Sequence, residues 1–151
     1  MSADERGSPR DAFALFETVP TRWADNDVYG HVNNVAYYGF FDTVVNRVLI
    51  ERCELDIHEG GVVGLVAETG CRYFSPLRYP EPVEVGLRVE RLGTTAVTYG
   101  LGGFAPGAPR PAAEGRFVHV YVVRGTRRPV PLPEAMRAGL APLVRPRGES
   151  R

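Results

Sequence analysis

The chain has 151 residues and balances 18 basic side chains against 18 acidic ones, a formal net charge of zero. That length makes one domain able to bury roughly two thirds of its unfolded surface, and the missing basic excess argues against nucleic acid as a main partner. Every basic side chain other than histidine is arginine, which excludes Schiff-base lysine chemistry and a P-loop lysine.

The charge is unevenly spread. Residues 1–104 hold nine Arg against fifteen acids, and residues 105–151 hold nine Arg against three. The basic part is either a solvated tail or a surface for an anionic handle such as a nucleotide phosphate. Cys53 and Cys71 form no ligand spacing, which fits two reduced thiols. No apolar run approaches the roughly 20 residues of a membrane span, and the polar start lacks a signal-peptide core. The expectation is a cytoplasmic protein that is not in a membrane and needs no metal. Residues 1–11 and 145–151 read as loose tails around one domain over 12–144.

In chain order, Phe13 to Trp23 suits a first strand with Phe16 and Val19 as core positions, broken by Asp25, Asn26 and Asp27. From about Asn33 to Arg52 the period turns helical. Val35, Tyr38, Phe41, Val45, Val48 and Leu49 recur at steps of three and four, and Ala36, Tyr37, Phe40, Val44 and Ile50 widen the apolar face. Such a helix, roughly 30 Å long, is expected to be buried on most of its surface. Asn33 or Asn34 is its natural N-cap.

After Gly60-Gly61, Val62 to Phe74 reads as a strand ended by Ser75-Pro76. Val83, Val85, Leu87 and Val89 alternate with Glu84, Gly86, Arg88 and Glu90 as in a half-buried strand. Thr95 to Phe104 and Gly115 to Arg124 make two more strands, and a short helix follows Pro133 over about Glu134 to Leu143. Short connections imply antiparallel pairing. The class is α+β: a curved antiparallel sheet wrapped around one long helix, with open edges that invite a second copy.

The chemistry concentrates in Asp27-Val28-Tyr29-Gly30-His31-Val32-Asn33-Asn34-Val35-Ala36-Tyr37. A carboxylate stands just before a helix N-terminus, where backbone N–H groups are unpaired and the dipole is positive. A carbonyl docked there is polarised while the carboxylate reaches its carbon, which suggests acyl transfer or hydrolysis. Gly30 supplies backbone freedom at the turn.

Trp23-x-Asp25-x-Asp27-x-x-Gly30-His31-Val32-Asn33-Asn34-x-x-Tyr37 resembles the hotdog-fold acyl-CoA thioesterases, and within them the 4-hydroxybenzoyl-CoA thioesterase type. Tyr73-x-x-Pro76-Leu77, Arg91-Leu92-Gly93-Thr94-Thr95 and Pro131-Leu132-Pro133 support it, so the resemblance runs from about Phe16 to Leu143. It implies that Asp27 acts as nucleophile or general base on an acyl-CoA or acyl-carrier thioester. Backbone N–H groups around His31 to Asn34 would polarise the carbonyl, with Asn34 as principal donor. It also implies a homodimer with the site at the subunit interface, often paired again into a homotetramer. Coenzyme A enters only as part of the substrate, with no other cofactor.

Within that frame Asn33 orients the loop or the substrate, His31 does the same or acts as a catalytic base, and Asp25 is structural. Asp42, eight residues after Asn34, is either a second acid or a structural partner. Glu68, on a strand expected to face inward, touches the acyl group or water, or pairs with an Arg. Tyr37 packs in the core or dimer, or lines the acyl pocket. Arg127 and Arg128 are candidates for the phosphates of coenzyme A. Thr94 and Thr95 occupy a turn where the hydroxybenzoyl-CoA enzyme carries basic residues. They are substrate-side candidates, and the aromatic substrate does not carry over.

The four serines, Ser2, Ser8, Ser75 and Ser150, include none in Gly-x-Ser-x-Gly. His58-Glu59-Gly60-Gly61 lacks the second histidine of a zinc peptidase, and no Gly-x-Gly-x-x-Gly opens a helix after a strand. Two rivals remain: a hotdog enoyl-CoA hydratase and a non-catalytic acyl-CoA-binding protein.

Overall fold

The computed structural model describes residues 6–146. Five strands, β1 (Leu15–Val19), β2 (Val62–Tyr73), β3 (Val83–Leu92), β4 (Ala96–Phe104) and β5 (Ala113–Val123), accompany helices α1 (Asn34–Arg52) and α2 (Glu134–Leu140). The strands form one sheet in the order β1-β3-β4-β5-β2, every pair antiparallel. Alternation sets the inner face: Val83, Val85, Leu87 and Val89 of β3 and Val97, Tyr99 and Leu101 of β4 are fully buried against α1. Phe41, Val44, Val45, Val48 and Leu49 meet them from the helix. This is the hotdog arrangement that the element order implies.

Asn33 caps α1: its Oδ1 accepts the Val35 N–H at 2.9 Å. The helix ends before Glu54, which sits at φ 57°. The expected burial on most sides is only partly met by one chain. Val35 is 69% and Ile50 45% exposed, and Leu65 and Val66 of the β2 edge are 40% and 54% exposed.

Three sequence expectations are corrected by the packing. Phe16 is paired with Gly86 on the outer face, where its ring packs edge-on to Phe104 at 5.4 Å, while Val19 faces the core. Residues at positions 16 and 19 differ in parity, so one strand cannot turn both inward. Secondly, residues 6–11 are strapped to that outer face. Ser8 N–H and Oγ donate to Glu114 at 2.7 and 2.8 Å, and Arg10 pairs with Glu84. The chain then seats Phe13 against Gly86 and Gly102, where a Cβ at either would come within 2.8 Å of its ring. Beneath the strap, Arg88 is 2% exposed and is held by Glu90 and Glu114 at 3.3 and 3.2 Å. Thirdly, the strand does not turn Glu68 inward: it faces outward and, of its two expected roles, takes the pair with an Arg, here Arg116. The rest of both expected tails, 1–5 and 147–151, lies outside the described residues.

Candidate active site

The loop between β1 and α1 is closed by its own polar groups. Asp25 is buried and accepts from the Arg22 N–H at 2.7 Å and its guanidinium at 2.8 Å. Burial pushes the Asp25 carboxyl up, and the bonds from Arg22 overcome it and hold the carboxyl below its ordinary range. The Asp25 carbonyl accepts the Asn33 N–H at 2.7 Å, which clamps the loop to the start of the helix. Asp27 and His31 bridge through Asp27 N–H to His31 O at 2.9 Å, and Gly30, at φ 80°, closes the turn onto Asp27 O at 3.0 Å. Val32 N–H donates to Leu77 O at 2.8 Å, tying the loop to the chain beyond β2.

This brings Asp27, His31, Val32, Asn34, Tyr37, Tyr73, Phe74, Ser75 and Pro76 around one open pocket of about 320 Å³, within the range of small-molecule sites. Asp27 Oδ1 accepts the Tyr29 N–H at 2.9 Å, and Oδ2 takes no hydrogen bond among the described residues. At the first turn of α1, Val35 N–H goes to the Asn33 side chain and Ala36 N–H to Asn33 O at 2.9 Å. The Asn34 N–H is left without a partner among the described residues. Asp27, with one carboxylate oxygen free of hydrogen bonds among the described residues, and Asn34, with its N–H likewise unpaired among them, thus line one pocket at the positive end of a 19-residue helix.

The walls are aromatic. Tyr37 and Tyr73 meet edge-on at 5.5 Å, and the Tyr73 hydroxyl donates to Asn34 O at 3.2 Å, bracing the helix start. Burial, helped by the Cys71 thiol, pushes the Tyr37 phenol up to about 12, and burial raises that of Tyr73 as well. Both stay protonated donors near neutral pH. Tyr73, Phe74, Ser75 and Pro76 were not among the site residues expected from sequence, although Tyr73-x-x-Pro76 carried the signal as part of the family pattern.

Of the other expected residues, Gly30 and Asn33 shape the loop and cap. Asp42 lies exposed two turns along α1, with its Oδ1 accepting from Asn46 Nδ2 at 3.1 Å, outside the pocket. Glu68 is directed to the outer face, bonded to Arg116 at 3.2 Å, because a bulge between Val66 and Glu68 reverses the alternation. Thr94 and Thr95 spend their carbonyls on Leu132 and Tyr121 N–H groups at 2.9 Å each. They lie with Arg127 and Arg128 at the end of the sheet where Val62 pairs with Val123. The pocket is at the Tyr73 end, roughly 36 Å away at 3.3 Å per residue. A single chain does not bring these four residues to Asp27. Among the described residues no three His, Cys, Asp or Glu side chains gather as a metal-binding group, and no helix is long and apolar enough to cross a membrane.

Comparison with known proteins supplies the class: a sheet curled round one helix of this kind belongs with the thioester hydrolases of the hotdog fold. Residues 21–140 match the thioesterase-like superfamily, and the chain belongs to it. Among solved structures it is similar to the PA5185 protein of Pseudomonas aeruginosa strain PAO1, with 51% identity over 91% of this chain and 96% of that one and a TM-score of 0.89. It is similar at 30% identity to a thioesterase from Thermus thermophilus complexed with coenzyme A and Zn, over 88% of this chain and 96% of that one, TM-score 0.72. A 1,4-dihydroxy-2-naphthoyl-CoA thioesterase from Synechocystis shares the fold at 15% identity, over 83% of this chain and 94% of that one, TM-score 0.75. No curated protein matches the sequence.

Proposed function

We propose that the protein hydrolyses an acyl-CoA or acyl-carrier thioester to the free acid and thiol at the Asp27 pocket. One observation carries this reading: Asp27, with a carboxylate oxygen that takes no hydrogen bond among the described residues, and Asn34, whose N–H has no partner among them, line the same pocket. The thioester carbonyl oxygen takes the Asn34 N–H, and the negative charge that develops on it is stabilised by that donor and the helix dipole. Asp27 either attacks the carbonyl carbon, forming an anhydride that water then opens, or removes a proton from the attacking water. In both routes the carbon–sulfur bond breaks and sulfur leaves as thiolate, so no metal is required. His31 orients the loop through its carbonyl bond to Asp27 N–H. Val32, Tyr37, Tyr73 and Phe74 offer apolar surface to the acyl group.

The working unit in this reading is a homodimer, with a homotetramer as its further assembly. The β2 edge is 12 residues long and unpaired on one side in the single chain. Pairing it antiparallel with the β2 of a second copy sets the Val62 end of one strand beside the Tyr73 end of the other. Arg127 and Arg128 of the second copy then approach the Asp27 pocket and can meet the phosphates of coenzyme A. The chain needs no cofactor beyond its substrate.

A thiol-trapping assay on a panel of acyl-CoAs tests the reading. The expected result is thiol release for at least one member. Tight binding without release would favour a binding protein, and crotonyl-CoA hydration without release a hydratase.

A further inference from the structure

His119 on β5 is 3% exposed, and neither of its ring nitrogens has a hydrogen-bond partner among the described residues. A neutral imidazole carries one donor and one acceptor, and leaving both unpaired in the interior is unfavourable. The rings of Tyr99, Phe117 and Tyr121 wall it at centroid distances of 5.2, 6.4 and 6.2 Å. The hydroxyls of Tyr99 and Tyr121 bond to one another at 2.7 Å. The charge that acts on His119 comes from Asp42, across the gap on α1.

Asp42 lies at the middle of the surface that one chain leaves open, and His119 lies buried behind it. His119 pairs in register with Val66, beside the bulge at the centre of β2. Asp42 lies near the middle of α1, on a helix face carrying exposed Val35 and Ile50 and a Gly39 whose Cβ position is empty within 4 Å. Exposed Val66, paired with His119 and so on the α1 side of the sheet, continues that apolar surface onto the β2 edge. A two-fold axis that pairs β2 with its copy along the full strand passes next to Val66 and Glu68, and sets one Asp42–His119 pair on each side of it, with each His119 one strand in from the seam.

We propose that Asp42 and His119 form an acid–imidazole pair at the centre of the self-association surface, which closes when a second copy covers α1 and β2, and which makes the binding of that copy proton-dependent. The inference rests on the β2-edge pairing given above. Covering Asp42 strips water from a carboxylate, which is unfavourable unless a cation offsets it. His119, on which the Asp42 charge acts, is placed to do so. The other titratable groups around it are Tyr38 from α1, Tyr99 from β4, Tyr121 from β5 and Cys53 at the helix end. Burial raises the phenols of Tyr99 and Tyr121 and takes the Cys53 thiol up to about 11, so these three stay neutral through the window. Glu68 faces away, toward Arg116.

In the single chain, burial holds the His119 imidazolium below its ordinary value, and Asp42 pulls the other way. Closing the pair raises it. The gain in association is complete below the single-chain value and is lost as pH rises through the paired value.

The test is sedimentation equilibrium of the full chain, Asp42→Asn and His119→Gln between about pH 5.5 and 8.5. The wild-type dimer dissociation constant is expected to rise about tenfold or more from pH 6 to pH 8. Asp42→Asn, whose site is exposed and does not hold the core together, is expected to flatten that dependence and to dimerise more tightly than wild type at pH 8. His119→Gln is expected to flatten it too. A dimer whose dissociation constant ignores pH, or an Asp42→Asn variant that keeps the wild-type slope, would overturn the pair and leave the edge pairing standing. A monomer at every pH and concentration would overturn the edge pairing, and the pair with it.

Discussion

The sharpest test of the site is Asn34→Pro. Asn34 is the first residue of α1, and its N–H is the amide that finds no partner among the described residues. Proline is well suited to that position, because its missing N–H removes no helix bond and its fixed φ matches the helix. The residue before it must be extended, and Asn33 already is, at φ −64° and ψ 141°. The Asn33 cap to Val35 N–H and the Tyr73 hydroxyl bond to Asn34 O both involve atoms that proline leaves in place. Folding stability should therefore change by no more than about 0.5–1 kcal/mol. Hydrolysis should suffer far more. Removing one oxyanion donor costs about 10²–10³ in kcat, or about 3–4 kcal/mol of barrier. Asn34→Ala is the control, since it keeps the backbone N–H and should retain most of the activity. Thiol release measures the rate and urea unfolding the stability. A proline variant as stable and as active as wild type would refute the assignment of the helix mouth as the oxyanion site.

Asp27→Asn keeps an oxygen for the Tyr29 N–H, so the turn and stability should hold while kcat/KM for thioester cleavage falls about 10²–10⁴-fold; an unchanged rate in the same assay would remove Asp27 from the chemistry. Gly102→Ala pushes a Cβ to 2.8 Å from the rings of both Phe13 and Phe104, so thermal or urea unfolding should show a loss of about 1–3 kcal/mol. Asp25 is held below its ordinary range in the folded chain, so its contribution is fully present above the unfolded value of about 4 and is lost as pH falls through the folded value. Acid unfolding followed by circular dichroism should show Asp25→Asn losing stability near neutral pH and converging on wild type as pH falls through the folded value.

The elements that depend on neighbours in sequence were legible without a structure. The long helix and its Asn33 cap follow from a period of three and four and from a side chain that bonds two residues ahead. The alternation of Val83, Val85, Leu87 and Val89 marked a strand with one buried face, and all four are buried. The order of elements and the Asp27–Asn34 spacing carried the family, because a carboxylate and a helix mouth seven residues apart are a local arrangement.

What stayed hidden depends on register and on contacts distant in the chain. The outward turn of Glu68 is set by one extra residue at the bulge, which flips every side chain beyond it and leaves no mark in the pattern of residue types. The strap over residues 6–11 exists because Gly86 and Gly102, more than seventy positions away, leave room for Phe13. The separation of Arg127 and Arg128 from Asp27 comes from β5 lying antiparallel to β2, which sends the two ends of one chain's sheet apart. Short-range chemistry is written in the order of side chains along a few turns. Which face a side chain takes, and what stands across from it, is decided only when hydrogen-bonded strands choose their partners.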